Sequence, residues 1–318
     1  MTAESASLQA ERAQRTTVHV GEAWAEKGRA QALARGAFVV GYNAQTEWAW
    51  LIATAFFLGK IGGGLFTISL FLDYNVGMLI GILIVAIGKS AAHLLYLGRW
   101  ERFWRAALKP GSSWISRGLI AMGIFTVFGF LYVAPAFGLP LFAKGSAAWE
   151  AVRAIALASA FVVMIYDGFV MSASPSIPLW NTSVLPVLCL SYSLLGGTSL
   201  SLALLGLSGP ALTASALETM EIGLIVANIV IVGSYVSTMY TSTSAARQAV
   251  LMLVTGKYAA HFLGGAIFVG LIVSLLLALF FLSTHVVLIL LLVAIADLIG
   301  HFSIFFLLLR AGLFAPVV

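Results

Sequence analysis

Charged residues are scarce in this sequence. They make up only 9% of its 318 positions, whereas 61% are hydrophobic, and the mean hydropathy is +1.04. A soluble domain could not cover so much apolar surface with so few polar side chains. The bilayer is therefore the predicted solvent for most of the chain.

Cysteine is almost absent as well. Cys189 is the single cysteine, so the chain can form no intrachain disulfide and can supply no cysteine-ligated cluster of its own. Any iron–sulfur centre that works with this chain must belong to a partner. We also find no clustering of histidine, cysteine and carboxylate residues that predicts a metal site.

The long apolar stretches after residue 47 are each close to the ~20 residues that a helix needs to cross a bilayer. Lipid offers no partners for open backbone groups, so helices are the expected form. We predict an all-α integral membrane protein with about eight transmembrane helices in two four-helix-bundle-like halves. The predicted spans are 48–72, 77–97, 116–138, 149–171, 183–205, 215–239, 259–283 and 285–309.

The sequence divides into three parts around these spans. Residues 1–44 carry acids and bases throughout and contain no apolar core of a secretory signal, so they are predicted to form an extramembrane arm. Residues 45–312 form the transmembrane helical domain, and 313–318 form a C-terminal tail. Two glycine runs, Gly62–Gly64 and Gly196–Gly197, lie inside predicted spans and are expected to permit close helix approach.

The basic residues behave as topology signals. Eight crossings place both termini on one side, and nearly all lysines and arginines fall on that side, with Lys144 and Arg153 on the other. The positive-inside rule then predicts a protein of the cell (inner) membrane with both termini in the cytoplasm. Tryptophans near the span ends, such as Trp50 and Trp180, are expected to anchor the interface.

A polar cluster is predicted where four spans meet the basic face. Lys89 and His93 are four residues apart and share one face of a helix. A quinone head group needs hydrogen-bonding partners at its carbonyl oxygens, aromatic walls and a proton-exchanging group, and this region offers all three. The candidate quinone-binding residues are Tyr166, His93, Lys89, Gln45, Glu47, Asn43, Trp48 and Asp167. The alternative is that Lys89 forms a purely structural ion pair with Asp167 or Glu47.

Four further ionisable residues lie inside predicted spans, where charge is costly. Lys60 and Asp297 fall near the bilayer centre, so we expect them to pair with each other or to share a water-filled cavity. Glu218 and Glu221 begin the sixth span at the opposite face. Together the four predict either a proton route from that face to the centre or a structural polar seam.

The loop between the second and third spans is the densest basic segment. Its residues Arg99, Arg102, Arg105, Lys109 and Arg117 predict either a topology signal or a docking surface for an acidic partner.

Three strings resemble the NrfD-like family, the membrane subunits of polysulfide-reductase-type complexes. They are GKIGGGLFTISLF, HLLYLGRWERFWRAALKPGSSWISRG and YDGFVMSASPSIPLWNTSVLPVL, within a resemblance that covers roughly residues 45–240. It implies a haem-free subunit that binds menaquinone or ubiquinone and exchanges electrons with an iron–sulfur subunit, which in turn serves a molybdopterin catalytic subunit. It also implies that Tyr166 contacts the quinone. Asp167 is a departure, because an uncharged residue is common there in the family.

Two other functions remain open at this stage. His93, His261 and His301 all fall in the basic half, so a haem b anchor with paired axial histidines is one alternative. Lys60, Glu221 and Asp297 inside the bilayer would equally suit a secondary transporter or an ion channel.

Overall fold

The computed structural model describes residues 42–139, 141–208 and 214–315. Most of the N-terminal arm predicted for residues 1–44 therefore lies outside the described residues. The last part of that arm forms a short strand, β1 (Asn43–Ala44), which pairs antiparallel with β2 (Leu313–Phe314) near the C-terminus. The two ends of the transmembrane domain are thus tied together at one face.

Eight helices of the described residues are long and apolar enough to cross a membrane, as predicted. In chain order, with the short helix α7 included, the helices are α1 (Trp50–Phe71), α2 (Asn75–Leu97), α3 (Trp114–Phe137), α4 (Ala147–Ser172), α5 (Val184–Ser208), α6 (Ala214–Ser242), α7 (Ser244–Val254), α8 (Ala260–Thr284) and α9 (Val287–Arg310). The predicted span ends agree with these bounds to within about three residues. Helix α7, which is too short to span, was not predicted.

Two of the spanning helices contain π-helical segments that the sequence did not indicate. In α2 the segment Ile84–Lys89 is π-helical, and in α8 the segment Ala260–Val273 is π-helical. A π-turn inserts an extra residue and so rotates the following side chains relative to a regular α-helix. The segment in α2 ends at Lys89, one turn before His93.

The helices form two halves, which confirms the predicted architecture. Helices α1–α4 pack on one another in the first half, and α5, α6, α8 and α9 do so in the second. Helix α1 is central, because it also packs against α5 and α9, while α4 packs against α5. Apolar residues fill each half, for example Phe66 and Phe125 in the first and Tyr235 and Phe281 in the second.

The glycine runs lie at the crossing of α1 and α5. A Cβ atom on Gly64 would collide with the backbone carbonyl of Ser193, and one on Gly197 would lie 2.5 Å from the Gly64 carbonyl oxygen. The two backbones are therefore in direct contact, as the runs predicted. This crossing brings the interior faces of both halves together.

Candidate functional site

Two buried lysines share one buried aspartate at the centre of the first half. The Nζ atom of Lys60 lies 3.2 Å from a carboxylate oxygen of Asp167, and the Nζ atom of Lys89 lies 3.4 Å from the same oxygen; all three side chains are fully buried. A Cβ atom on Gly59 would lie 2.5 Å from Lys89 Nζ, so this glycine makes room for Lys89 to reach across α1. The expected pairing of Lys60 with Asp297 is wrong, because Asp167 on α4 takes that place.

This triad carries more positive than negative charge when all three groups are ionised. Part of the excess is balanced by backbone carbonyls, since Lys89 Nζ donates to the Ala55 oxygen at 2.9 Å. Aromatic faces balance more of it: Lys60 Nζ lies 4.0 Å from the Phe305 ring centroid, and Lys89 Nζ lies 4.8 Å from that of Tyr166. When all three groups are ionised, the interior therefore holds a positively charged centre directly behind Tyr166.

A cavity of about 350 Å³ lies on the other side of Tyr166, towards the basic face. This volume is in the range of small-molecule sites, and its lining is almost entirely apolar and aromatic. The walls come from four helices, from the segment before α1 and from the loop after α2. Its lining residues include Trp48, Phe56, His93, Tyr96, Phe103, Met122, Tyr166 and Val170.

Two polar groups in this cavity have hydrogen-bonding capacity to spare. His93 Nδ1 lies 3.1 Å from the Lys89 carbonyl oxygen. A carbonyl only accepts, so Nδ1 carries the proton in this bond, and Nε2 of the neutral ring is an acceptor. The Tyr166 hydroxyl donates to the Met122 sulfur at 3.9 Å, and sulfur is a weak acceptor. Through these two groups the cavity offers an acceptor at His93 and a donor at Tyr166.

The position of Trp48 at the cavity wall is set by its neighbours. Its ring stacks on Trp180 at a centroid distance of 5.3 Å, and its backbone N–H donates to Gln45 Oε1 at 2.5 Å. Gln45 also donates to the Leu309 carbonyl oxygen at 2.9 Å, which ties this segment to the end of α9. Trp180 is 2% exposed and donates from its indole to the Leu308 oxygen, so it is a buried support and not the interfacial anchor that was expected.

The predicted quinone-binding residues separate into layers. Three of them, Trp48, His93 and Tyr166, line the cavity. Lys89 and Asp167 lie behind Tyr166, in the triad, so the ion pair that was the structural alternative for Lys89 is present. The other three do not line the cavity: Gln45 is buried behind Trp48, whereas Asn43 and Glu47 are exposed at the surface. Phe56 and Met122 line the cavity but were not predicted, because single apolar residues in a span give no functional signal.

A second polar cluster lies in the other half. Asp297 on α9 accepts hydrogen bonds from the hydroxyl groups of Ser199 and Ser274. The carboxyl group of Glu221 on α6 is an electrostatic neighbour of Asp297, is 2% exposed and has one oxygen without a hydrogen-bond partner in the described part of the chain. Glu218 lies one turn earlier on α6 and is also buried. Three of the four predicted proton-route residues therefore lie in this half, while Lys60 belongs to the triad.

The basic loop after α2 covers the cavity from outside. Its residues Trp100–Ala107 form a 3₁₀-helix, from which Phe103 and Ala106 contribute to the cavity lining. Four of the predicted docking residues, Arg99, Arg102, Arg105 and Lys109, are exposed. Arg117 is not free in the same way, because it donates to the carbonyl oxygens of Pro110 and Gly111 at 2.7 and 2.9 Å and stacks over Trp114. It holds the loop in place.

Within residues 42–139, 141–208 and 214–315, no three histidine, cysteine or carboxylate side chains come together in a group that could hold a metal ion.

One family model and one known protein are similar to this chain. A family model described as polysulphide reductase, NrfD, matches residues 39–316, which extends beyond the region of resemblance in the sequence to include the last two spans. The chain is also 37% identical over 100 residues to a protein of Allochromatium vinosum whose name describes it as part of a sulfite dehydrogenase. That match covers 29% of this chain and 30% of the relative.

Proposed function

Because this chain belongs to the polysulphide reductase NrfD family, we propose that it is the quinone-binding membrane subunit of a respiratory oxidoreductase complex. The observation that carries the proposal is the aromatic cavity beneath the basic loop, which is lined by the weakly bonded Tyr166 hydroxyl and by His93 Nε2. A planar ring with an oxygen at each end fits a cavity that has aromatic walls and few polar contacts. We propose menaquinone or ubiquinone as the quinone that binds there.

The residues present have distinct tasks in this proposal. A bound quinone supplies two-electron chemistry coupled to two protons. Tyr166 donates a hydrogen bond to an oxygen of the ring, and His93 Nε2 accepts one from a hydroxyl group of the reduced quinol, which suits it to take a proton. The triad of Lys60, Lys89 and Asp167 stabilises negative charge on the ring side of Tyr166 because its own charge is positive and shielded from water.

The loop provides the connection to a partner. Phe103 lines the cavity, while the guanidinium groups of Arg102 and Arg105 on the same 3₁₀-helix are exposed. An acidic iron–sulfur subunit docked on these arginines would lie directly over the cavity. The relative is named as one subunit of a sulfite dehydrogenase, which supports assembly with other proteins. We therefore propose an iron–sulfur partner that serves a molybdopterin catalytic subunit, both facing the cytoplasm with the basic loop.

A proton route is the second part of the proposal. Glu218 and Glu221 lie in the first turns of α6, on the side opposite the cavity, and Asp297, near the middle of α9, is an electrostatic neighbour of Glu221. Lys60 and Asp167 continue the series of buried ionisable groups towards Tyr166. In this proposal the series carries protons between the opposite face and the quinone site.

The quinone site is tested with the variants Tyr166→Phe and His93→Ala in the purified complex. We expect each to lower quinone-dependent turnover at least tenfold while the subunits stay assembled, since each removes one of the polar contacts proposed for the ring. Tyr240→Phe and His285→Asn are matched controls, because both residues lie outside the cavity. Unchanged quinone kinetics in the first pair would remove these residues from the site.

Identification of the bound components tests the whole proposal. Gentle purification from native membranes, followed by mass spectrometry of the co-purifying proteins and extraction of quinones, should yield quinone, an iron–sulfur subunit and a molybdopterin subunit. A pigment with a haem absorbance would instead indicate a cytochrome b-like anchor. A lone protein without quinone would indicate a transporter.

A further inference from the structure

A buried histidine lies between the two polar clusters. His301 on α9 is 1% exposed, and neither of its ring nitrogens has a hydrogen-bond partner among the described residues. The hydroxyl group of Tyr192 on α5 is also buried and has no partner in this part of the chain. Buried polar groups are usually satisfied because an unmade hydrogen bond costs free energy, so two such groups side by side require a reason.

The surroundings of His301 form a built compartment for its ring. The centroids of Phe57, Tyr192 and Phe305 lie 5.2, 5.1 and 5.4 Å from that of His301. On the α5 side the compartment depends on Gly196, since a Cβ atom there would lie 3.3 Å from His301 Nδ1. The absence of a side chain at Gly196 therefore leaves room for the imidazole ring between these aromatic side chains.

The neighbours of His301 connect it to both clusters. Phe305, which contacts the histidine, also lies under Lys60 Nζ at 4.0 Å, and Lys60 is an electrostatic neighbour of His301. Asp297 is four residues before His301 on α9, so both side chains share one helix face about 6 Å apart along the axis. Tyr192 is an electrostatic neighbour of Asp297. His301 thus lies between Asp297 and Lys60.

We propose that His301, assisted by Tyr192, passes protons between the Asp297 cluster and the triad of Lys60, Lys89 and Asp167. The proposal rests on the proposed quinone function. In each transfer one ring nitrogen takes a proton from a donor on one side and the other nitrogen releases a proton to an acceptor on the other side, so the ring returns to its neutral form and nothing is oxidised or reduced. Water molecules complete the contacts that the side chains leave open.

The test uses the whole complex reconstituted in lipid vesicles, with His301→Asn as the main variant and His285→Asn as the control. His285 is exposed at the end of α8 in a left-handed conformation that asparagine accepts readily. Three quantities are measured: quinone retained after purification, the rate of quinone turnover, and protons moved across the membrane per electron from a pH-sensitive dye.

We expect His301→Asn to retain quinone while protons moved per electron fall at least twofold or turnover falls at least tenfold, and His285→Asn to change neither. Quinone retention with unaltered turnover and unaltered proton movement would overturn the role of His301. If the complex with His301→Asn does not assemble, the Tyr192→Phe variant tests the proposal by the same criteria, because it removes only the buried hydroxyl group. Absence of quinone from the unaltered complex would instead refute the proposed function, and this inference with it.

Discussion

Asp167 balances the charge of two other buried residues. It is the carboxylate that contacts both Lys60 and Lys89, and all three groups are fully buried. Removal of one member of a buried ionic group leaves the others uncompensated, which is far more costly than the loss of a solvated pair. The two lysine ammonium groups beside Asp167 therefore depend on this carboxylate.

We expect Asp167→Asn to lower the free energy of unfolding by about 3–5 kcal/mol, because two buried ammonium groups lose their counterion. Asp73→Asn is the matched control: Asp73 pairs with Lys144 at 3.1 Å, but both side chains are more than half exposed. That change should cost about 1 kcal/mol or less. Thermal unfolding in detergent, followed by tryptophan fluorescence, compares the two. Equal shifts in Tm would mean that the triad is solvated.

At the scale of elements, the contact of α1 with α5 determines what the interior can do. Helix α1 carries Lys60 on one side of the glycine run, and α5 carries Tyr192 and Ser199, which belong to the second half. Because the two backbones are in direct contact, these faces lie close together. The tight crossing therefore sets the distance between the two polar clusters.

We expect Gly197→Ala to destabilise the protein by about 1–3 kcal/mol, because a Cβ atom would force α5 away from the Gly64 backbone. Gly123→Ala on α3 is the control, since beyond the adjacent backbone of α3 itself no atom of the described residues lies within 4 Å of its Cβ position. There, alanine should be neutral or stabilising by up to about 1 kcal/mol. The Tm values of the two purified variants, compared with that of the unaltered protein, test this prediction. A Tm for Gly197→Ala equal to that of the control would show that the helices can separate without cost.

At the scale of the whole molecule, the cavity, the basic loop and the paired strands β1 and β2 all lie at the same face. Strands β1 and β2 and the Gln45 contacts hold the start of α1 against the end of α9 next to Trp48. The opposite face carries few basic residues, with Lys144 and Arg153 as examples. A partner that recognises positive charge would therefore dock at the face where the cavity opens.

We expect charge reversal of Arg99, Arg102 and Arg105 to glutamate to remove most of the proposed iron–sulfur partner from the purified complex, while the membrane chain stays folded. The fold should tolerate the change because the arginine side chains are exposed and their contacts are local: Arg102 lies 3.9 Å from the adjacent Glu101, and Arg105 lies over the adjacent Trp104.

The double change Lys144→Glu and Arg153→Glu at the opposite face is the control for this loop variant. Retention of the partner is measured by quantitative mass spectrometry at two salt concentrations, since salt weakens contacts between exposed charges. Full retention in the triple variant would exclude the loop as the docking surface.

The sequence by itself determined the class of the protein, the number of its spans and their bounds to within about three residues. Apolar runs of the right length can be satisfied in lipid only as helices, so the local pattern is sufficient. The glycine runs likewise predicted close packing, because glycine at a span interior has few other uses. Residue type and depth pointed to Tyr166 and His93, the family resemblance pointed to Tyr166 as well, and both line the cavity.

The tertiary structure alone decided which buried charges meet. Helix lengths place Lys60 and Asp297 at the same depth, but depth leaves open the direction in which each side chain points around its helix axis. Because α1 packs against α4, Lys60 forms an ion pair with Asp167. Because α9 packs against α5 and α8, Asp297 accepts hydrogen bonds from Ser199 and Ser274. The π-helical segment that ends at Lys89 and the pairing of β1 with β2 add rotations and contacts with no local signal. Depth follows from length and hydrophobicity along the chain, whereas partners depend on the rotation and crossing of helices, which only three-dimensional packing sets.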